Sequence, residues 1–261
     1  ACIREAQPSQ LFVAADGPRK DLAGERERCD EARQITREID WDCEVKTLFR
    51  DVNLGCRVAV SSAIDWFFEQ VEEGIILEDD CLPHPSFFQF CEELLAMYRN
   101  DHRVFHISGI NFQGGKTIGK GSYFFSNYPM IWGWATWQRA WKQYDVHMNS
   151  FPSFQQSRKI KQVLKTHREQ KLFLKTLRMF YLNSPNSWDI QWVYAIWDYH
   201  ATTIAPNVPL VKNIGISLHN THTFLKDSKR DNISIKEIKF PLIHPEFEIS
   251  HKADTHTFRL I

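Results

Sequence analysis

The sequence carries no excess charge of either sign: 32 Lys and Arg stand against 32 Asp and Glu over 261 residues. A neutral balance provides no broad positive field to neutralise a phosphate backbone or an anionic membrane, so nucleic acid is not an expected partner. Long hydrophobic runs are missing too. The longest uncharged apolar stretches, Gly74 to Leu77 and Met130 to Trp137, fall far short of the ~20 residues of a membrane-spanning helix. No transmembrane segment is expected, which leaves only peripheral association with a membrane open. The opening residues, ACIREAQPSQ, lack the basic start and apolar run of a secretory signal, so a cytoplasmic location is the default expectation.

Cysteine is sparse and unpaired in pattern. Cys2, Cys29, Cys43, Cys56, Cys81 and Cys91 form no C-x-x-C pair, which argues against a disulfide framework and predicts buried free thiols. No His-Glu-x-x-His spacing accompanies them, so a dedicated zinc site is not indicated. No G-x-G-x-x-G follows a strand, so a dinucleotide fold of the Rossmann type has no support. Gly114 to Gly121 (GGKTIGKG) comes near a phosphate-binding loop but places Gly121 where Ser or Thr is needed, and leads into a strand-like segment instead of a helix. A glycine-rich loop is the better reading.

What is present is ordinary globular usage, 43% apolar and 25% charged, with nine Trp and nineteen Phe that serve chiefly for packing. At ~150 residues per domain, 261 residues make one large or two small domains. No linker or repeat divides them, so one domain spanning 1–261 is expected.

The first third alternates. Leu11 to Ala15 reads as a strand ending in Asp16-Gly17-Pro18, Asp21 to Ile39 as a helix, and Glu44 to Phe49 as a strand. Val60, Ile64, Phe67 and Val71 mark a second helix. Gly74 to Leu77 suits a buried strand, Ser86 to Arg99 a helix with Ser86 and Gln89 at capping-box spacing, and Val104 to Ser108 a strand. This order predicts an α/β protein with a mostly parallel central sheet and helices on both faces. Ligands then bind beyond the carboxyl ends of the strands, where Asp16 to Arg19, Arg50 to Asn53 and Glu78 to Asp80 should converge.

The second half is less regular. Trp137, Ala140, Trp141 and Tyr144 share a helical stripe, Arg158 to Leu182 reads as a basic two-helix segment, and Ser187 suits the N-cap of a helix through His200. Loop and short strand are expected beyond Pro206.

Glu78-Asp79-Asp80 gathers three carboxylates after an apolar strand, and their repulsion calls for a cation or hydrogen-bond donors. A hard divalent ion, Mg²⁺ or Mn²⁺, suits such ligands. The plain alternative is a solvated acidic turn. Asp189, in SWDIQW, falls in the first turn of a helix, where the helix dipole alone would favour an acid. His219 and His222 could reach a metal or phosphate, or could be ordinary surface or core histidines.

Four segments carry a resemblance: LFVAADGPR at 11–19, NLGC at 53–56, GIILEDDCLPHPSFF at 74–88 and IWGWATWQRAW at 131–141. Together with the later WD they resemble bacterial glycosyltransferase family 2-like proteins, and their order is similar to the N-acetylglucosaminyltransferase I group, with EDD in place of DXD. The resemblance covers about positions 11–225. It implies a GT-A fold with a nucleotide-binding half at 1–110, an acceptor and catalytic half at 111–225 and a tail at 226–261.

It further implies a nucleotide-diphosphate sugar donor, a UDP-sugar by preference, a glycan or other hydroxyl acceptor, and Mn²⁺ or Mg²⁺. On this likeness Asp16 and Arg19 lie near the base, Asn53 and Gly55 line the nucleotide pocket, Glu78 and Asp79 belong to the donor site with Asp79 at the ribose, and Asp80 holds the metal. Trp132, Gly133 and Trp134 would wall the sugar and acceptor, His222 would face the phosphates, and Asp189 would be the base of an inverting transfer. Family members normally begin with a strand and an Arg- or Asn-containing turn ahead of the first helix, so a first strand is expected to be missing here. Two other classes fit clustered carboxylates or aromatic faces: a metal-dependent phosphohydrolase or nucleotidyltransferase acting on sugar nucleotides, and a non-catalytic sugar-binding module.

Overall fold

The structure is a computed structural model that describes residues 2–215 and 233–260. After a short helix α1 (Cys2–Ala6), strand β1 (Gln10–Ala15), helix α2 (Glu25–Arg33), strand β2 (Glu44–Phe49) and helix α3 (Cys56–Phe68) form the two expected units. β1 and β2 pair in parallel, with Gln10 opposite Glu44 and Ala15 opposite Phe49. Phe12 meets Trp66 and Phe67 of α3 edge-on at 5.4 and 4.9 Å, which seats this pair of strands on the helix.

Strand β3 (Glu73–Ile76), strand β4 (Cys81–Pro83), helix α4 (Ser86–Tyr98), strand β5 (Val104–Ser108), strand β6 (Tyr123–Ser126) and strand β7 (Trp134–Trp137) follow. The second half adds helices α5 (Gln138–Trp141), α6 (Phe151–Ser157), α7 (Ile160–Val163), α8 (His167–Asn183) and α9 (Asp189–Asp198). Strands β8 (Thr202–Pro206) and β9 (Val211–Asn213) and helix α10 (His251–Phe258) complete the described elements.

The chain is therefore α/β, but its central sheet is mixed and not mostly parallel. Its order is β3-β7-β5-β8-β6, and only β5 and β8 run parallel. The cause is β7. Trp134 to Trp137 returns antiparallel between β3 and β5, with Ile75 and Ile107 both opposite Ala135. The helical stripe expected of Trp137, Ala140, Trp141 and Tyr144 forms in part: Gln138–Trp141 is helix α5 with Ala140 and Trp141 buried, while Trp137 ends β7, whose four residues are buried between two strands. β1 and β2 form a separate two-stranded sheet, and so do β4 and β9.

Other expectations shift at their edges. The 21–39 helix begins only at Glu25, after a left-handed Gly24 at φ 71°, and ends in a 3-10 turn (Gln34–Glu38) with Ile35 exposed. Ser86 forms no capping box: Pro85 holds the cap position, and the Ser86 hydroxyl bonds His84 Nδ1 and accepts from Ile238 N. Trp188, not Ser187, precedes α9, which stops at Asp198. Beyond Pro206 there is more than loop and short strand, since α10 forms with Ser250 accepting from Ala253 N. The six thiols are free, yet only Cys91 is fully buried.

Two large cores flank the sheet, beside a small cluster of Phe124, Ala205 and Ala253. One joins α3, α5, α6, α8 and α9 around Trp134, Trp141, Trp192 and Trp197; the other joins α4, Trp137, Ile204 and Val211. Within the first core, α8 is fixed at its start. Thr166 Oγ1 accepts from Glu169 N while the Glu169 carboxylate accepts from Thr166 N and from Tyr128 OH, a capping box worth ~1–2 kcal/mol that also buries the only acid on the helix.

Candidate functional site

The carboxyl end of β1 delivers Asp16, and its carboxylate is held by backbone. Oδ1 accepts from Gly17 N and Leu54 N, and Oδ2 from Gly55 N. Asn53 Nδ2 donates to Gly17 O at 3.0 Å, so the turns after β1 and β2 close on each other. Gly17 is required here because a Cβ would fall 2.3 Å from the Val52 carbonyl carbon. Gly55, at φ 76°, admits the Asn186 amide, whose Oδ1 accepts from Arg57 N at 3.0 Å in the uncapped first turn of α3. That bond draws the loop ahead of α9 to the same place.

Asp189 opens α9 and is half-buried, and the Ser187 hydroxyl donates to its carboxylate. An aromatic stack fixes this helix end. Trp188 lies on Trp134 at 5.6 Å and 21°, and Trp134 on His106 at 5.1 Å and 17°. Tyr144 OH donates to Trp188 O, and Trp192 Nε1 donates to His106 Nδ1 at 3.0 Å. Since His106 Nδ1 accepts, its proton sits on Nε2 and is donated to Met130 O; burial pushes this imidazole down to about 3, so it stays neutral.

Glu78, Asp79 and Asp80 follow β3. Burial, then repulsion from Asp80, Asp189 and Asp79, pushes the Glu78 carboxyl up to about 7, against a hydrogen bond from Trp188. Burial also raises the Cys56 thiol to about 11, with Glu78, Asp189 and Asp16 each adding to the rise. The carboxylates of three separated segments therefore act on one point at the start of α3. Asp79 is exposed, while Asp80 Oδ2 accepts from Asn213 Nδ2 at 2.9 Å and Asp80 O from Ile214 N at 2.8 Å. Gly215 passes so close that a Cβ would lie 2.6 Å from Asp80 Oδ2.

The structure thus brings Asp16, Asn53, Gly55, Glu78, Asp80 and Asp189 together, with Asp79 beside them. Arg19 is exposed and paired with Glu25, not with this cluster. Gly133, at φ 61°, accepts from Gly109 N, and Val211 leaves no room for a Cβ. Trp132 is half-buried and edge-on to Phe112 at 5.5 Å. Trp134 is completely buried, so it presents no face to a sugar and serves as the floor under Trp188. His222 and His219 lie outside the described residues.

Sequence reasoning missed Cys56, Arg57, Asn186 and Tyr144. Arg57 Nη1 is buried with no hydrogen-bond partner among the described residues, beside the acid cluster. Its position in the first turn of α3, two residues after Gly55, was the signal available. Asn186 acts across 129 residues of chain, and nothing local marks it.

Among the described residues no three His, Cys, Asp or Glu side chains are placed to hold a metal by themselves. The donor set is carboxylate oxygen, and burial, with repulsion from Asp80, Asp189 and Asp79, raises the Glu78 carboxyl. That chemistry suits a hard ion bound by one or two carboxylates with substrate phosphates completing its shell. No protein-family model matches the chain, and no curated protein matches its sequence.

Proposed function

We propose that the chain is a glycosyltransferase that moves a sugar from a nucleotide-diphosphate sugar, a UDP-sugar by preference, to the hydroxyl of a glycan or similar acceptor, with inversion. The observation that carries this reading is the placement of Asp189, at the start of a rigidly packed helix, against Glu78 and Asp80 at the end of β3. One carboxylate can then take a proton while others neighbour the leaving group's charge.

In this mechanism Asp189 accepts the proton of the acceptor hydroxyl as its oxygen attacks the anomeric carbon, and Ser187 orients the carboxylate. Asn53 and Gly55 shape the nucleotide pocket through the turns that Asp16 closes, and Asp79 meets the ribose. Trp132 borders the sugar, and Gly133, packed against Val211, sets the backbone turn beside it. Arg57 lends positive charge toward the diphosphate. Asp80 would hold Mn²⁺ or Mg²⁺, which when bound neutralises charge on the departing diphosphate.

The test is thermal stability of the purified chain against UDP, GDP, CMP and dTDP, each with and without Mn²⁺, because a ligand of the native state raises apparent stability by mass action. An Mn²⁺-dependent rise with one nucleotide supports the reading and identifies the donor class. The absence of any rise with all four overturns it.

A further inference from the structure

Zero net charge conceals a segregation. Between Arg158 and Asn183 there are eight Lys or Arg and one acid, Glu169, which is buried as the α8 cap. The buried face of α8 is apolar, through Phe173, Leu177 and Phe180. The opposite face carries Arg168, Lys171, Leu172, Lys175, Arg178 and Leu182, whose spacing places them on one stripe along the helix. Leu172 is 42% exposed and Leu182 63% exposed. No described carboxylate lies within ion-pair distance of Arg168, Lys171, Lys175 or Arg178.

At one end the stripe continues onto α10. Arg168 lies 5.9 Å from the Phe258 ring, and Arg259 borders the same cleft of about 560 Å³.

We propose that this outer face of α8, with the end of α10, docks on an anionic lipid bilayer. Charge complementarity selects an anionic partner, since unpaired basic residues gather on one side of a neutral protein. The form of the stripe selects a lipid surface. A helix of 17 residues is a ridge roughly 25 Å long. Its two exposed leucines can enter the headgroup boundary while the basic side chains extend to phosphates around them. A face for single-stranded nucleic acid would instead profit from exposed aromatic side chains for stacking, and the outer stripe of α8 has none. The inference is independent of sugar transfer.

Co-sedimentation of the full chain with phosphatidylcholine vesicles, with and without phosphatidylglycerol, tests it. The chain should bind only the anionic vesicles and release in high salt. Lys171→Glu/Lys175→Glu/Arg178→Glu should weaken binding by about a hundredfold or more, and Leu182→Ser several-fold with the charge intact. Arg26→Glu/Arg28→Glu/Arg37→Glu, an equal charge change on α2 and the 3-10 turn after it, should leave binding unchanged. These side chains are exposed, so circular dichroism should show every variant folded. No binding to anionic vesicles, equal loss in the α2 variant, or tighter binding to duplex DNA through the same α8 residues would each overturn the proposal.

Discussion

The carboxylate of Asp16 closes onto the backbone of Gly55, taking its N–H at 3.0 Å on one oxygen while the other takes Leu54 N at 2.9 Å. One side chain thereby ties the turn after β1 to the turn after β2, at the mouth of α3. Charge-assisted bonds to backbone N–H groups are the stronger kind, and removing their acceptor leaves those donors unmatched. Asp16→Ala should cost about 2–4 kcal/mol in urea unfolding, and Asp16→Asn less. A loss below about 0.5 kcal/mol for Asp16→Ala would show that the clamp does not hold the turns.

His106 sets a pH dependence. Its folded-state value is lowered to about 3 by burial, whereas in the unfolded chain it titrates near 6.5. The unfolded state therefore takes up a proton first, so the stability His106 contributes is present above pH 6.5 and is lost as pH falls toward 3. His106→Gln should be destabilised by about 2 kcal/mol at pH 7 through its lost bonds to Trp192 and Met130. That gap to wild type should narrow between pH 6.5 and pH 4. A gap that stays constant across this range would contradict a neutral, buried imidazole.

Trp134 and Trp132 separate packing from contact. Trp134→Ala removes a completely buried indole between His106 and Trp188 and should cost about 3–5 kcal/mol. Trp132→Ala should cost under about 1.5 kcal/mol yet weaken donor or acceptor saturation in a transfer assay. Equal stability losses in the two variants would remove the distinction.

Asp80 and Asp189 should divide binding from chemistry. Asp80→Ala should abolish Mn²⁺-dependent nucleotide binding in calorimetry. Asp189→Asn should bind nucleotide as wild type does and lose about 10²–10⁴-fold in turnover, the usual span of a general base. Full turnover in Asp189→Asn would place the base elsewhere.

Much of the fold was legible because it is local. Glu44 to Phe49 and Val104 to Ser108 are strands over the residues that the apolar runs mark. The turn Asp16-Gly17 and the acids after β3 sit at strand ends, as alternating βα units require. The GGKTIGKG segment leads into β6 and not into a helix, so its failure as a phosphate loop was visible in its chemistry. The basic character of 158–182 was legible as well, though not that one helix face would carry it.

Tertiary structure decided the rest, because the deciding partners are far apart in sequence. β7 lies in the sheet between β3 and β5, and it makes that sheet mixed because its backbone groups must pair where both faces are covered. Asn186 caps α3 across 129 positions, and Trp188 rests on Trp134. Residue types and strand ends were fixed by local pattern, but Asp189 comes to Glu78 only because a buried aromatic stack holds α9 there. No period or motif in the sequence encodes that contact, since it exists only when the packing of the whole chain satisfies it.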